Sequence, residues 1–151
     1  CAAADISRPL FEHYYGTKKA YFLRVVEHAI GELERAVIAD EPALDSEVFQ
    51  RSLRRVFMFM RDHPAGAALV QGAGGVMEAQ HLIQASRDRT ADLVLAIMVK
   101  GEPTPQQVTA AHCWNGFNDN LIGRLAADKT LSIDWAVDYS TRMLKVLIDD
   151  V

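Results

Sequence analysis

Residues 5–30, DISRPLFEHYYGTKKAYFLRVVEHAI, decide how the chain is read. Ser7 is suited to cap a helix, and Pro9 is tolerated in a first helical turn, where backbone N–H groups lack intrahelical partners anyway. A short helix is therefore expected over 8–15. Gly16 can take the left-handed conformation that ends it, and Thr17 can cap the next helix. The outward side chains of this pair include Arg8, Glu12, His13 and Lys18, with Tyr14 close by. These are residue types that can reach base edges and phosphates. A short helix with polar side chains, set beside a basic helix start, is the geometry of a helix-turn-helix reading head.

The segment resembles the end of the DNA-binding domain of TetR-family transcriptional regulators. That pattern is a serine, a few variable residues, Leu-Tyr-x-His/Tyr-Phe, a small loop and a lysine, followed by an apolar-periodic helix. Ser7, Phe11, Tyr14, Tyr15, Lys18 and the helix from Lys19 onward fall at matching positions. The likeness is close over the first thirty residues and continues only as an all-helical pattern. It implies that Arg8, Pro9, Leu10 and Glu12 lie where the family reads bases, and that Tyr14 and Lys18 grip the phosphate backbone. Glu12 stands where the family often has an aromatic residue, so no base preference is carried over. A helix-turn-helix needs two helices before its recognition helix, and these are expected upstream of Cys1. The implied organisation is an all-α, TetR-like helical bundle. Residues 1–39 are the remnant of the helix-turn-helix with its connecting helix, and residues 40–151 are a helical ligand-binding and dimerisation domain.

Composition sets the outer limits. At 151 residues, half of them hydrophobic and a quarter charged, the chain is long enough to bury a core and ordinary for a globular protein. The net charge of -4 does not by itself suggest a nucleic-acid partner. Residues 1–24, however, carry Arg8, Lys18, Lys19 and Arg24 against Asp5 and Glu12, a balance of +2 that leaves -6 for the remainder. The positive end is the one that would face phosphates. Cys1 and Cys113 fit no metal-ligand spacing and are expected as free thiols. No apolar run is long enough for a membrane span, and no signal peptide is evident, so a cytoplasmic protein is expected.

Beyond the head, Phe22, Val25, Val26, Ala29, Leu33 and Val37 recur at helical spacing, which predicts one connecting helix over 18–39. Asp45 or Ser46 caps the next, whose stripe is Phe49, Leu53, Val56, Phe57 and Met60. Arg51, Arg54, Arg55 and Arg61 alternate with acids and read as its solvated face. His63-Pro64 stops this helix. A short helix over 65–71 follows, then Gly72-Ala73-Gly74-Gly75, which lacks the strand and the Lys-Ser/Thr of a P-loop. The pattern is helical again over 76–100. Its 93–99 run would pass for a buried strand in isolation, but the Gly101 stop favours helix. Thr104-Pro105-Gln106-Gln107 is a capped helix start, and that helix should reach Ala127. Ser132 caps a last helix ending near Asp149.

The last helix has two apolar stripes, one of Ile133, Ala136, Val137, Leu144, Leu147 and Ile148, the other of Trp135, Tyr139, Met143 and Val146. A helix at the edge of a monomer needs only one buried face. The helix before it carries Trp114, Phe117, Leu121 and Leu125, with Gly116 and Gly123 allowing close approach. A four-helix homodimer interface is expected, with Leu121, Leu125, Trp135, Tyr139, Met143 and Val146 in it. The family resemblance implies the same.

Polar residues set into apolar segments are His81, His112, Asn115 and Asn118. Singly, each reads as a satisfied core or interface group. Together with Phe57, Met60, Met77, Met98, Trp114 and Phe117 they would line a cavity for a small, largely apolar effector. Glu78-x-x-His81 is half of a carboxylate-bridged di-iron pattern, but the second half is missing, so no metal and no cofactor are expected. No catalytic triad is recognisable, and the chain is not read as an enzyme. The expected function is a ligand-responsive regulator bound to a double-stranded DNA operator, most often a repressor in the family it resembles. A helical enzyme or an interaction module without DNA binding is the alternative.

Overall fold

Backbone chemistry at the helix ends sets the architecture. The computed structural model describes residues 7–37, 46–70 and 76–150. Among them run α1 (Arg8–Tyr15), α2 (Lys18–Val37), α3 (Ser46–Asp62), α4 (Pro64–Val70), α5 (Met77–Met98), α6 (Pro105–Ala127) and α7 (Ile133–Asp149), with no strand. α1 ends where Gly16 turns to φ +69°, a region open to glycine at little steric cost. Thr17 Oγ1 then caps α2 by accepting from the Ala20 N–H at 3.0 Å. Thr104 and Gln107 form a reciprocal capping box at the start of α6, with bonds of 3.2 and 3.0 Å. Ser132 caps α7 through the Trp135 N–H at 3.3 Å.

Boundaries differ from expectation at three places. α4 takes in Pro64 as its first residue, because a missing N–H costs nothing in a first turn. α5 starts after an extended Val76 without a side-chain cap and stops at Met98, so the 93–99 run is helical up to an extended Val99. Ala39, Asp45 and the glycine-rich 72–75 segment lie outside the described residues.

The main core joins α3, the second half of α5, α6 and α7, with Phe57, Leu125 and Leu144 fully buried. A smaller cluster of Val26, Ala79 and Ile83 seats α2 on the first half of α5. α6 and α7 are also stitched by a buried polar chain. Trp114 Nε1 donates to the Ser140 carbonyl at 3.0 Å, Ser140 Oγ donates to Asn118 Oδ1 at 2.6 Å, and Asn118 Nδ2 donates back to the Trp114 carbonyl at 2.9 Å. Each buried polar group thereby gains a partner. No described helix is long and apolar enough to cross a membrane.

α7 separates its two stripes as expected. Ile133, Ala136, Val137, Leu144 and Ile148 are buried, whereas Trp135, Tyr139 and Val146 are 44%, 37% and 55% exposed. Leu121 and Leu125, expected at a partner surface, are instead 7% and 0% exposed within their own chain. They share the inward stripe of α6 with Trp114 and Asn118, about two turns and one turn before Leu121, and pack into the core.

Leu144→Ala should lower the unfolding free energy by about 2–5 kcal/mol, since its methyl groups have no solvent alternative. Ser140→Ala strips the buried Asn118 oxygen of its donor and should cost about 1–3 kcal/mol. Urea denaturation measures both, and a loss below about 0.5 kcal/mol for Leu144→Ala would place the core elsewhere.

Candidate functional site

Four helices leave a cavity of about 260 Å³ between them. α2 contributes Ile30, Leu33 and Glu34, and α3 contributes Leu53, Val56, Phe57 and Met60. Ile83, Ser86, Arg87, Arg89, Thr90 and Leu93 come from α5, and Trp114, Asn115, Asn118, Asp119 and Ile122 from α6. The spacing is helical on every wall, at three- and four-residue steps, so each helix turns one face to the same space. The lining is mostly hydrocarbon, with polar groups gathered along α5.

Those polar groups are paired across helices. Glu34 Oε1 accepts from Ser86 Oγ at 3.1 Å and from Arg89 Nε and Nη2 at 3.1 and 2.5 Å, tying α2 to α5. Arg87 forms an ion pair with Asp119 at 2.5 Å, tying α5 to α6. Asn115 Nδ2 donates to the Arg87 carbonyl at 2.8 Å. Burial pushes the Asp119 carboxyl above its ordinary value, and the charge and hydrogen bond of Arg87 pull it only part of the way back. Beyond this pair lies a more polar outer cleft lined by Gln84, Arg87, His112, Asn115, Gly116 and Asp119. His112 Nδ1 lies 3.9 Å from Asp88 there, and a Cβ built on Gly116 would meet nothing within 4 Å.

Of the expected pocket residues, Phe57, Met60, Trp114, Asn115 and Asn118 share the cavity. His112 faces the outer cleft. Met77 is 66% exposed and His81 is exposed, because positions 77 and 81 fall on the far side of α5 from Ile83. Met98 packs against the main core, and Phe117 stands edge-on to Tyr139 at 5.6 Å. Glu78, beside His81 in the half-motif, accepts a hydrogen bond from Lys19 at 2.5 Å, which holds its carboxyl below the ordinary value. Among the described residues no three His, Cys, Asp or Glu side chains gather as a metal-binding group. The α2 wall and the charged middle of α5 were not expected in the site. For α5 the signal is the run Ser86-Arg87-Asp88-Arg89-Thr90 inside an otherwise apolar-periodic helix, whereas Ile30, Leu33 and Glu34 carry none.

At the other end of α2 lie the residues expected to contact DNA. Pro9, Glu12, His13, Tyr14 and Lys18 are exposed, Tyr14 to 72%. Arg8 and Leu10 belong to α1, but their side chains lie outside the described residues, as does that of Phe11. Tyr15 and Tyr21 meet edge-on at 4.8 Å and pin α1 to α2. The Lys19–Glu78 pair anchors the start of α2 to the start of α5.

Asp119 makes a pH prediction. Its native carboxyl holds a proton more tightly than the unfolded chain does, so its contribution is fully present below the ordinary value of 3.8 and is lost as pH rises through the raised native value. Asp119→Asn removes that slope. The unfolding free energy of the variant relative to wild type should therefore shift in the variant's favour as pH rises across this window, in urea melts at a series of pH values. A shift in the opposite direction would mean that Arg87 outweighs burial.

No family model, curated protein or solved structure matches the chain.

Proposed function

We propose that the chain is the body of a homodimeric, ligand-responsive DNA-binding regulator, a repressor of TetR type released from its operator by a small, largely apolar effector. One observation carries this reading: α2 holds the exposed head residues at its start and lines the cavity with Ile30, Leu33 and Glu34 further along. Twelve residues separate Lys18 from Ile30, about 18 Å of helix at 1.5 Å per residue. A ligand that widens the cavity must move α2 against α3 and α5, and the helix carries that movement to the head. The Glu34–Arg89 bond resists it. By linkage, the effector changes DNA binding only as far as it prefers one placement of α2 over the other.

The dimer reading rests on the outer face of α7. Trp135 stacks on Tyr139 at 5.3 Å, and Phe117 of α6 meets the same ring. With Val146 and the partly buried Met143 these rings form an apolar surface that a second copy would cover. Two copies related by a two-fold axis would set two heads about one helical turn of DNA apart.

Selection of bound DNA with the full-length protein should yield a pseudo-palindrome. Lys18→Ala and Tyr14→Phe should weaken operator and non-specific DNA alike, whereas Arg8→Ala should mainly lose discrimination, by about 1–3 kcal/mol. If all three left a gel-shift titration unchanged, the DNA-binding reading would fall. Sedimentation should show a dimer that Tyr139→Asp converts to monomer, and a wild-type monomer at micromolar concentration would remove the dimer reading.

A further inference from the structure

The apolar cavity and the outer cleft are neighbours across one ion pair. Arg87, Asn115 and Asp119 line both, so the Arg87–Asp119 bridge stands as a partition between them. On the inner side the space is walled by hydrocarbon such as Leu33, Phe57 and Ile122. On the outer side the lining offers the Arg87 guanidinium and the His112 imidazole beside the carboxylate of Asp119, while the Gln84 amide donates to Asp88 at 2.8 Å and Asp88 lies 3.9 Å from His112. We propose that cavity and cleft form one site for an amphiphile with a medium-length hydrocarbon tail and a carboxylate head, the tail inside and the head on Arg87 in place of Asp119. This rests on the cavity being the effector site, and it assigns the effector's chemical class.

Several observations favour a carboxylate. Exchanging one carboxylate for another keeps the planar guanidinium paired through the same geometry. Burial disfavours the charged form of Asp119, so once displaced from Arg87 its carboxyl can take up a proton and leave no buried charge behind. The cleft beside Gly116 leaves open space for the incoming head. At the opposite rim, Arg89 is the weaker anchor. Its side chain is 57% exposed against 31% for Arg87, and Glu34 already holds it by two hydrogen bonds. A cationic head would take Asp119 and leave Arg87 uncompensated beside an apolar cavity, and a guanidinium, unlike a carboxylate, cannot lose its charge there.

The test is calorimetric titration of the full-length protein with decanoate, decanol and decyltrimethylammonium, which share a tail and differ in head. Decanoate should bind about tenfold more tightly than decanol, the scale of one charge-assisted exchange. In Arg87→Gln the two should come within about twofold, and in Asp119→Asn, where the competitor's charge is gone, decanoate should gain about tenfold while decanol does not change. The wild-type comparison decides the matter even if a variant fails to fold. Equal binding of decanoate and decanol, preference for the ammonium head, or an advantage that survives Arg87→Gln overturns the proposal while leaving the cavity as an effector site. Binding of none of the three overturns both.

Discussion

The charged middle of α5 is the constraint on which the rest of the structure depends. Arg87 and Arg89 lie within one helical turn, and each is held by a carboxylate from a different neighbour, Asp119 of α6 and Glu34 of α2. Two ion pairs from a single turn thus act as struts toward two helices. The space between the struts is the cavity. Filling it with side chains would have required apolar residues at 86–90, where the chain has Ser-Arg-Asp-Arg-Thr.

These pairs position helices more than they stabilise them. Half-exposed pairs such as Glu34–Arg89 contribute about 0–1 kcal/mol, because solvent screens them and long side chains lose freedom. The Arg87–Asp119 pair is more enclosed, and the desolvation of its carboxylate offsets much of the attraction. Stability comes instead from the apolar contacts of α3, α5, α6 and α7 and from the satisfied Trp114–Ser140–Asn118 chain between α6 and α7. α2 contributes nothing to the main buried cluster, but it packs along α3 and α5. It is seated by the smaller cluster around Val26 and by the ion pairs of Lys19 and Glu34. A helix outside the main cluster can be moved without unfolding the core, as the proposed transmission from cavity to α1 would require.

Local chemistry was legible wherever one short stretch decides the outcome. Gly16, Thr17, the Thr104–Gln107 box and Ser132 mark helix ends through bonds made within a few residues, and the structure uses each. Part of the cavity was legible for the same reason. Trp114, Asn115 and Asn118 stand out on α6 as polar or aromatic groups among apolar neighbours. Met77 and His81 carried that same signal but sit on the solvent side of α5, because composition does not say which face of a helix its neighbours cover.

The amino-acid sequence by itself determined that the described residues form helices and the turns between them, the helix boundaries to within a residue or two, the inward stripe of α7 and the short α1 before α2, since these follow from periodicity, caps and turns. Only the tertiary structure decided that Leu121 and Leu125 serve their own core, that α2 walls the cavity, and that Glu34 meets Arg89 across fifty-five residues of chain and Arg87 meets Asp119. Such pairings depend on how four helices are rotated about their axes. That rotation is set by burying all of their apolar stripes at once, and no single stripe contains it.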